Sequence, residues 1–301
     1  MTIVLGTRGS RLALAQTELT RKAMEGLPEK PEVRMRVIKT TGDQRLDISL
    51  SRPGPKIEQG LFTRELEEAL LRKEIDVAVH SLKDLPTAVP SKLELAATLP
   101  RHDPGDVLLS KSAKSLLEIP RGGKIATGSL RRARQILLAR PDLEIVDVRG
   151  NVPTRMARLV AEDTWNSMVL AKAGLERLGY RLDEQPIPSL PLFVSNLEEL
   201  LPAVGQGAIG LQVRSDDLRL KKLLGRVNDA HTWFCVRAER ALLELLGGGC
   251  QLPLGVRTRM DHQHFSMEAI LFRDEANPSR GFVSGVFADP RDAALTLFHK
   301  L

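Results

Sequence analysis

The densest run of reactive side chains is His80-Ser81-Leu82-Lys83-Asp84, which follows the apolar stretch Ile75 to Val79. A buried strand opening into a polar turn puts these groups beyond the carboxyl end of a strand, where open α/β sheets bind their ligands. Asp84 beside Lys83 offers a carboxylate next to a cation, suited to proton transfer or to stabilising a cationic intermediate. The same spacing also allows Asp84 to be a plain helix cap. A second run, Gly128-Ser129-Leu130-Arg131-Arg132, places two arginines in the first turn of a helix. The helix dipole favours negative charge there, so the choice suggests either a bound anion or a solvated surface pair. Arg8, Arg149 and Arg155 stand at or just beyond strand ends, with Arg177 in the helix after another strand. Guanidinium groups so placed can grip carboxylates bidentately, or form ordinary surface ion pairs. A third run, Gly247-Gly248-Gly249-Cys250, sets a thiol on a flexible loop. Such a thiol can reach into a cleft, or sit buried as a small apolar group. Cys235 falls inside a helix and reads as core.

The elements that must position these groups alternate in type. Thr2 to Thr7 reads as a strand, and Ser10 caps a helix from Arg11 to Leu27, with Leu12, Ala15, Leu19 and Ala23 on one face. Strands follow at Val33 to Lys39 and Ile75 to Val79, with a helix over Leu61 to Glu74 between them. Arg52-Pro53-Gly54-Pro55 marks a loop, and Leu46 to Gly60 is expected to be mobile. From Asp103 a second unit runs strand (Asp106 to Ser110), strand (Lys124 to Thr127), helix (Leu130 to Ala139), strand (Leu143 to Val148), helix (Val152 to Ala161) and strand (Ser167 to Ala171), with a short helix to Leu178. The strand Ala208 to Val213 is expected to return to the first sheet, giving two crossings, a hinge and a cleft. Thr7-Arg8-Gly9-Ser10 echoes Thr127-Gly128-Ser129, each lying between a strand and a helix. The last part reads as a helix from Ala230 to Leu246, three strands, and a helix from Pro290 to Lys300. This order implies doubly wound α/β units and a small α+β unit.

Composition narrows the partners. The chain has 301 residues, 42% hydrophobic and 27% charged, enough for two or three cores. Two cysteines imply no disulfide framework. The net charge of +6 asks for an anionic partner, but only 4% aromatic residues and dispersed arginines argue against a single-strand nucleic-acid groove. No apolar run approaches a membrane span, and Met1 to Thr7 reads as a strand rather than a leader. A cytoplasmic monomer binding no nucleic acid and no membrane is expected. His262 and His264 lack supporting ligands, so no metal is expected. Gly6-Thr7-Arg8-Gly9-Ser10 lacks the Gly-Lys-Ser/Thr ending of a nucleotide loop.

Taken in order, several motifs resemble the series of the porphobilinogen deaminase (hydroxymethylbilane synthase) family. They are Thr7-Arg8-Gly9-Ser10 with Gln16, Gly60-Leu61-Phe62, His80 to Asp84, Gly128 to Arg132, Arg149-Gly150-Asn151-Val152, Leu201 to Gly207, and Gly248-Gly249-Cys250. The resemblance covers nearly the whole chain. It implies two periplasmic-binding-protein-like doubly wound domains around a cleft, residues 1–102 with 207–225 and residues 103–206. A small C-terminal α+β domain, residues 226–301, completes the chain. It implies a transferase of tetrapyrrole (haem and porphyrin) biosynthesis, which condenses four porphobilinogen molecules head to tail on a dipyrromethane cofactor. Ammonia leaves at each addition, and hydroxymethylbilane is released at the end. By the resemblance, Cys250 attaches the cofactor, and Ser81, Lys83, Ser129, Arg131 and Arg132 hold its carboxylates. Arg8, Ser10, Gln16, Arg149, Arg155, Arg177 and Gln206 bind substrate and the growing chain, and Asp84 is catalytic. The chain departs from the family pattern at Lys56-Ile57-Glu58-Gln59 and at Trp165-Asn166-Ser167-Met168.

Overall fold

The computed structural model describes residues 2–41, 60, 62–188, 190–249, 252–274 and 277–301. Cys250, the loop at Arg52 to Pro55, and the departure at Lys56 to Gln59 lie outside the described residues.

The first sheet gathers β1 (Thr2–Thr7), β2 (Glu32–Val37), β3 (Val77–Ser81), β4 (Leu93–Thr98) and, from far along the chain, β10 (Ile209–Arg214). Their order is β2-β1-β3-β10-β4. The first three strands run parallel, and β10 is antiparallel to both β3 and β4. The second sheet gathers β5 (Asp106–Ser110), β6 (Lys124–Ala126), β7 (Glu144–Val146), β8 (Ser167–Ala171) and β9 (Phe193–Asn196) in the order β7-β6-β8-β5-β9. Here too three strands are parallel, and β5 is antiparallel to β8 and β9. The two sheets therefore share one plan, with the fourth position filled in each by the strand that arrives from the other unit. Two doubly wound α/β units of one plan result.

Helices cover both sheets: α1 (Arg11–Glu25), α2 (Arg64–Leu71), α3 (Leu130–Ala139), α4 (Val152–Ala161), α5 (Lys172–Arg177) and α6 (Leu218–Leu224). Ile3, Leu5, Met24, Val77, Val79, Ile209 and Leu211 form a core on one face of the first sheet. Leu66, Leu70, Ile75 and Ala78 form one on the other face. Burial on both faces explains why β3 opens on the continuous apolar run Val77-Ala78-Val79. The echoed turns after β1 and β6 occupy equivalent places, but they are built differently. Ser10 Oγ accepts the Ala13 amide at 3.2 Å and caps α1, whereas the Ser129 side chain makes no such bond to α3.

The last unit is an antiparallel sheet of β11 (Leu254–Asp261), β12 (His264–Leu271) and β13 (Ser279–Gly285), covered by α7 (Ala230–Leu245) and α8 (Pro290–Phe298). Phe265 is fully buried at its centre, edge-on to Phe234 and Phe287 at 5.1 and 6.1 Å. Cys235 lies in this core, as expected. Among the described residues, no helix is long and apolar enough to cross a membrane.

Three elements were not anticipated: β4, β9 and α6. Leu93–Thr98 alternates too weakly to read as a strand alone, and is recruited by pairing with β10. β3 also runs further than expected, taking in His80 and Ser81, so the polar turn begins at Leu82.

Candidate active site

The chemistry-bearing turn is a single 3-10 turn, Leu82–Asp84, at the carboxyl end of β3. Leu82 and Leu85 pin it by packing with Ala208 and Val236. Asp84 is thereby turned toward Arg8 at the end of β1, with Nη1 and Oδ2 3.8 Å apart. Arg8 in turn lies over the Phe62 ring, 4.2 Å from its centre. A loose, partly exposed pair of this kind leaves the Asp84 carboxylate open to a reacting cation. The preceding Ser81 hydroxyl donates to Gln16 Oε1 at 2.9 Å, joining β3 to α1. His80 points away from this turn. Its Nε2 bonds Gln212 Oε1 at 2.9 Å, and Gln212 passes the contact to Glu67. Burial, only partly offset by Gln212, pushes the His80 imidazole down to about 4, so it is neutral at ordinary pH.

On the facing unit, α3 carries Arg131 and Arg132, only 5% and 6% exposed. The anion that sequence reasoning sought beside them includes an internal one, Asp106, the first residue of β5. Its carboxylate meets Arg131 at 2.8 Å and Arg132 at 2.7 Å, and takes a bond from Gln206 Nε2 at 2.8 Å. Burial by itself raises the Asp106 carboxyl, but the two guanidinium groups outweigh it and hold it well below the usual carboxylate range. Gln206 Oε1 lies 3.5 Å from both Lys83 Nζ and Arg132 Nη2. At 1% exposure, with its amide bonded to Asp106 and to the Pro104 carbonyl, Gln206 orients its neighbours more than it faces a ligand.

Lys83 is thus drawn to the same cluster. Desolvation first, and Arg132 second, push its ammonium down to about 8. Three cations, Lys83, Arg131 and Arg132, stand around one buried carboxylate. The buried Arg131 Nε has no hydrogen-bond partner among the described residues. A buried guanidinium nitrogen left without a partner there fits a carboxylate-bearing group such as dipyrromethane.

Arg155 and Arg177 extend the positive field, both lowered to about 10 chiefly by burial. Arg155 Nε donates to the Gly150 carbonyl at 2.6 Å, and Arg177 Nη2 to the Gly207 carbonyl at 2.6 Å. Arg149 is held by Asp147 through two 3.0 Å bonds. Arg155 feels the charges of Arg132, Arg149, Asp147 and Asp84, so the two units contribute to one field. Sequence reasoning missed Asp106 and Asp147. A charged residue opening the apolar run Val107-Leu108-Leu109 was the available signal for Asp106.

Glu239 was missed as well. Fully buried on α7, it binds Arg101 at 2.6 and 3.1 Å, the Gly205 amide at 2.7 Å and the Thr258 hydroxyl at 2.5 Å. Arg101 precedes the first chain crossing and Gly205 lies on the second, and Arg101 Nε also donates to the Gln206 carbonyl at 2.8 Å. One ion pair therefore fastens both crossings to the last unit.

The fold and this cluster define a protein of two doubly wound α/β units of one plan, with a buried cationic cluster, Lys83, Arg131 and Arg132, between them. Similarities to known proteins narrow the class. The family model for "porphobilinogen deaminase, dipyromethane cofactor binding domain" matches residues 3–222, and that for the C-terminal domain of porphobilinogen deaminase matches residues 233–294. The porphobilinogen deaminase of Moorella thermoacetica is 42% identical over 301 residues, covering 99% of this chain and 92% of that protein. That of Syntrophobacter fumaroxidans is 44% identical over 255 residues, covering 84% and 78%. Among solved structures, the periplasmic aliphatic sulphonate binding protein of Escherichia coli superposes with a TM-score of 0.42 at 12% identity, covering 82% of this chain and 70% of that one. The chain belongs to the porphobilinogen deaminase family.

Proposed function

We propose that the chain is a porphobilinogen deaminase, a transferase that condenses porphobilinogen units head to tail with release of ammonia, in tetrapyrrole biosynthesis. The observation that carries this reading is the convergence of Asp84 with Lys83, Arg131 and Arg132 in a chain matched by the family models over residues 3–222. When bound, the dipyrromethane group supplies the pyrrole terminus to which new units are joined. Lys83, Arg131 and Arg132, with the hydroxyls of Ser81 and Ser129, hold its acetate and propionate groups. Cys250, outside the described residues, anchors it. Arg8, Arg149, Arg155 and Arg177 bind the carboxylates of incoming substrate and of the growing chain. Ser10, Gln16 and Gln206 serve by orienting: Ser10 caps α1, Gln16 holds Ser81, and Gln206 aligns Lys83 with Arg132.

Asp84 in its protonated form gives its proton to the amine that leaves as ammonia, and the carboxylate so formed stabilises the positive charge that develops on pyrrole nitrogen. Its side chain is 36% exposed, so substrate can reach it.

The division into residues 1–102 with 207–225, residues 103–206 and residues 226–301 is our reading of the units. The common plan of the first two sheets and the return of β10 support it. We infer a cytoplasmic monomer, to be checked by cell fractionation and by sedimentation at 33.3 kDa.

Intact mass spectrometry of three proteins tests the function. Wild type and Cys235→Ser should carry a covalent dipyrrole mass and release ammonia from porphobilinogen, while Cys250→Ser should do neither. An unmodified, inactive wild type would refute the reading.

A further inference from the structure

The turn between β7 and α4 holds a carboxylate that the proposed function does not use. Asp147 Oδ2 accepts from Arg149 Nε and from Arg149 Nη2, each at 3.0 Å. That two-donor edge is the one with which a guanidinium grips a ligand carboxylate. The other oxygen, Oδ1, lies 3.1 Å from where a β-carbon on Gly128 would stand. Asp147 therefore borders the Gly128-Ser129 turn that leads into Arg131 and Arg132. Its charge is felt at Arg155 together with those of Arg132, Arg149 and Asp84.

Among the described residues, three carboxylates of the site differ in access. Asp106 is sealed, with a side chain 0% exposed, and is a permanent partner of α3. Asp84 faces Arg8 across a loose 3.8 Å gap. Asp147 is 40% exposed and its partner Arg149 22% exposed, so Asp147 can turn into water at little desolvation cost. A carboxylate that occupies a binding edge, and can leave it cheaply, competes with any ligand carboxylate for that edge.

We propose that Asp147 is a displaceable internal counter-ion, holding the Arg149 guanidinium until a substrate carboxylate takes the same edge. It then retakes that edge as product leaves. The chain thereby limits how tightly it grips a polyanion that gains carboxylates with every addition. This inference rests on the reading of the chain as a porphobilinogen deaminase.

Asp147→Asn removes the competing charge and keeps the shape. An exposed ion pair is weak, so the KM for porphobilinogen should fall by only about 1.4- to 5-fold. The kcat should not rise, because product held by Arg149 leaves more slowly. Native mass spectrometry during turnover should show a larger share of enzyme carrying bound pyrrole units. Asp142→Asn is the control. It removes an equal charge at the opposite end of β7, where Asp142 pairs with Arg140 at 2.7 Å, and should leave KM unchanged. A KM that rises or stays level in Asp147→Asn would overturn the proposal, since Asp147 would then orient Arg149 or do nothing to it. An equal fall in both variants would overturn it too, as a mere effect of net charge. Wild type that releases no ammonia from porphobilinogen would instead fail the functional reading, before either variant is compared.

Discussion

Asp84 carries the sharpest chemical argument. A carboxylate fixed in place stabilises developing positive charge better than bulk water does, because it needs no reorganisation as the charge appears. Asparagine keeps its shape and removes its charge. Asp84→Asn should fold normally, by thermal melting, yet lose on the order of a hundredfold or more in ammonia release. Asp84→Glu keeps the charge and displaces it by about one methylene, so its rate should lie between Asn and wild type. If Glu fell below Asn, position would outweigh charge and the assigned role would be wrong. The partner is already visible: Arg8, 3.8 Å away, is close enough to orient the carboxylate and too far to neutralise it tightly.

At the level of elements, the turn Leu82–Asp84 buries Lys83 near Arg131 and Arg132 of α3, and burial first, with Arg132 second, sets the acidity of Lys83. Burial and Arg132 together take its ammonium from 10.5 down to about 8. In the ligand-free protein that proton is lost as pH rises through about 8, whereas the unfolded chain keeps it to 10.5. The ligand-free fold therefore gains stability between those values, because the unfolded state binds the extra proton. Capture of an anionic cofactor has the opposite sign: it needs the ammonium and weakens as pH rises above about 8. Loading of cofactor-free protein, followed by intact mass across pH 6 to 10, should fall near pH 8 in wild type and show no such fall in Lys83→Arg. Identical profiles would mean that Lys83 does not meet the cofactor. Asp106 prevents α3 from being a cluster of bare cations. It neutralises part of the charge of Arg131 and Arg132.

For the molecule as a whole, the decisive contact is the buried pair Arg101–Glu239. Both crossings between the α/β units meet the last unit at this one carboxylate, through Arg101 and the Gly205 amide, while Thr258 holds it from β11. Breaking a buried pair from one side strands the other charge without water. Glu239→Gln should therefore cost about 3 kcal/mol of stability, read from denaturant unfolding. Pairing it with Arg101→Gln should recover part of that loss, since no charge is then left unpartnered. A double variant no more stable than the single one would show that shape, not charge, matters at this junction.

Much of the active cluster was legible because its chemistry is local. His80 to Asp84 is a strand running into a polar turn, and Arg131-Arg132 sits against the helix dipole. Both signals are written within a few consecutive residues. The strands β3, β5 and β8 were likewise readable from their apolar runs, and so was the return of β10 to the first sheet. The partners of those groups were not legible, because they come from far along the chain. Asp106 and Glu239 are ordinary carboxylates in sequence until folding buries them against Arg131, Arg132 and Arg101. Gln206 read as a ligand residue, yet packing turns it into an internal brace, and β4 becomes a strand only because β10 pairs with it. The sequence by itself determined which charges and apolar stretches the protein possesses. Only the tertiary structure decided which charges neutralise one another and which remain for a ligand, because removal from water is what makes each pairing count.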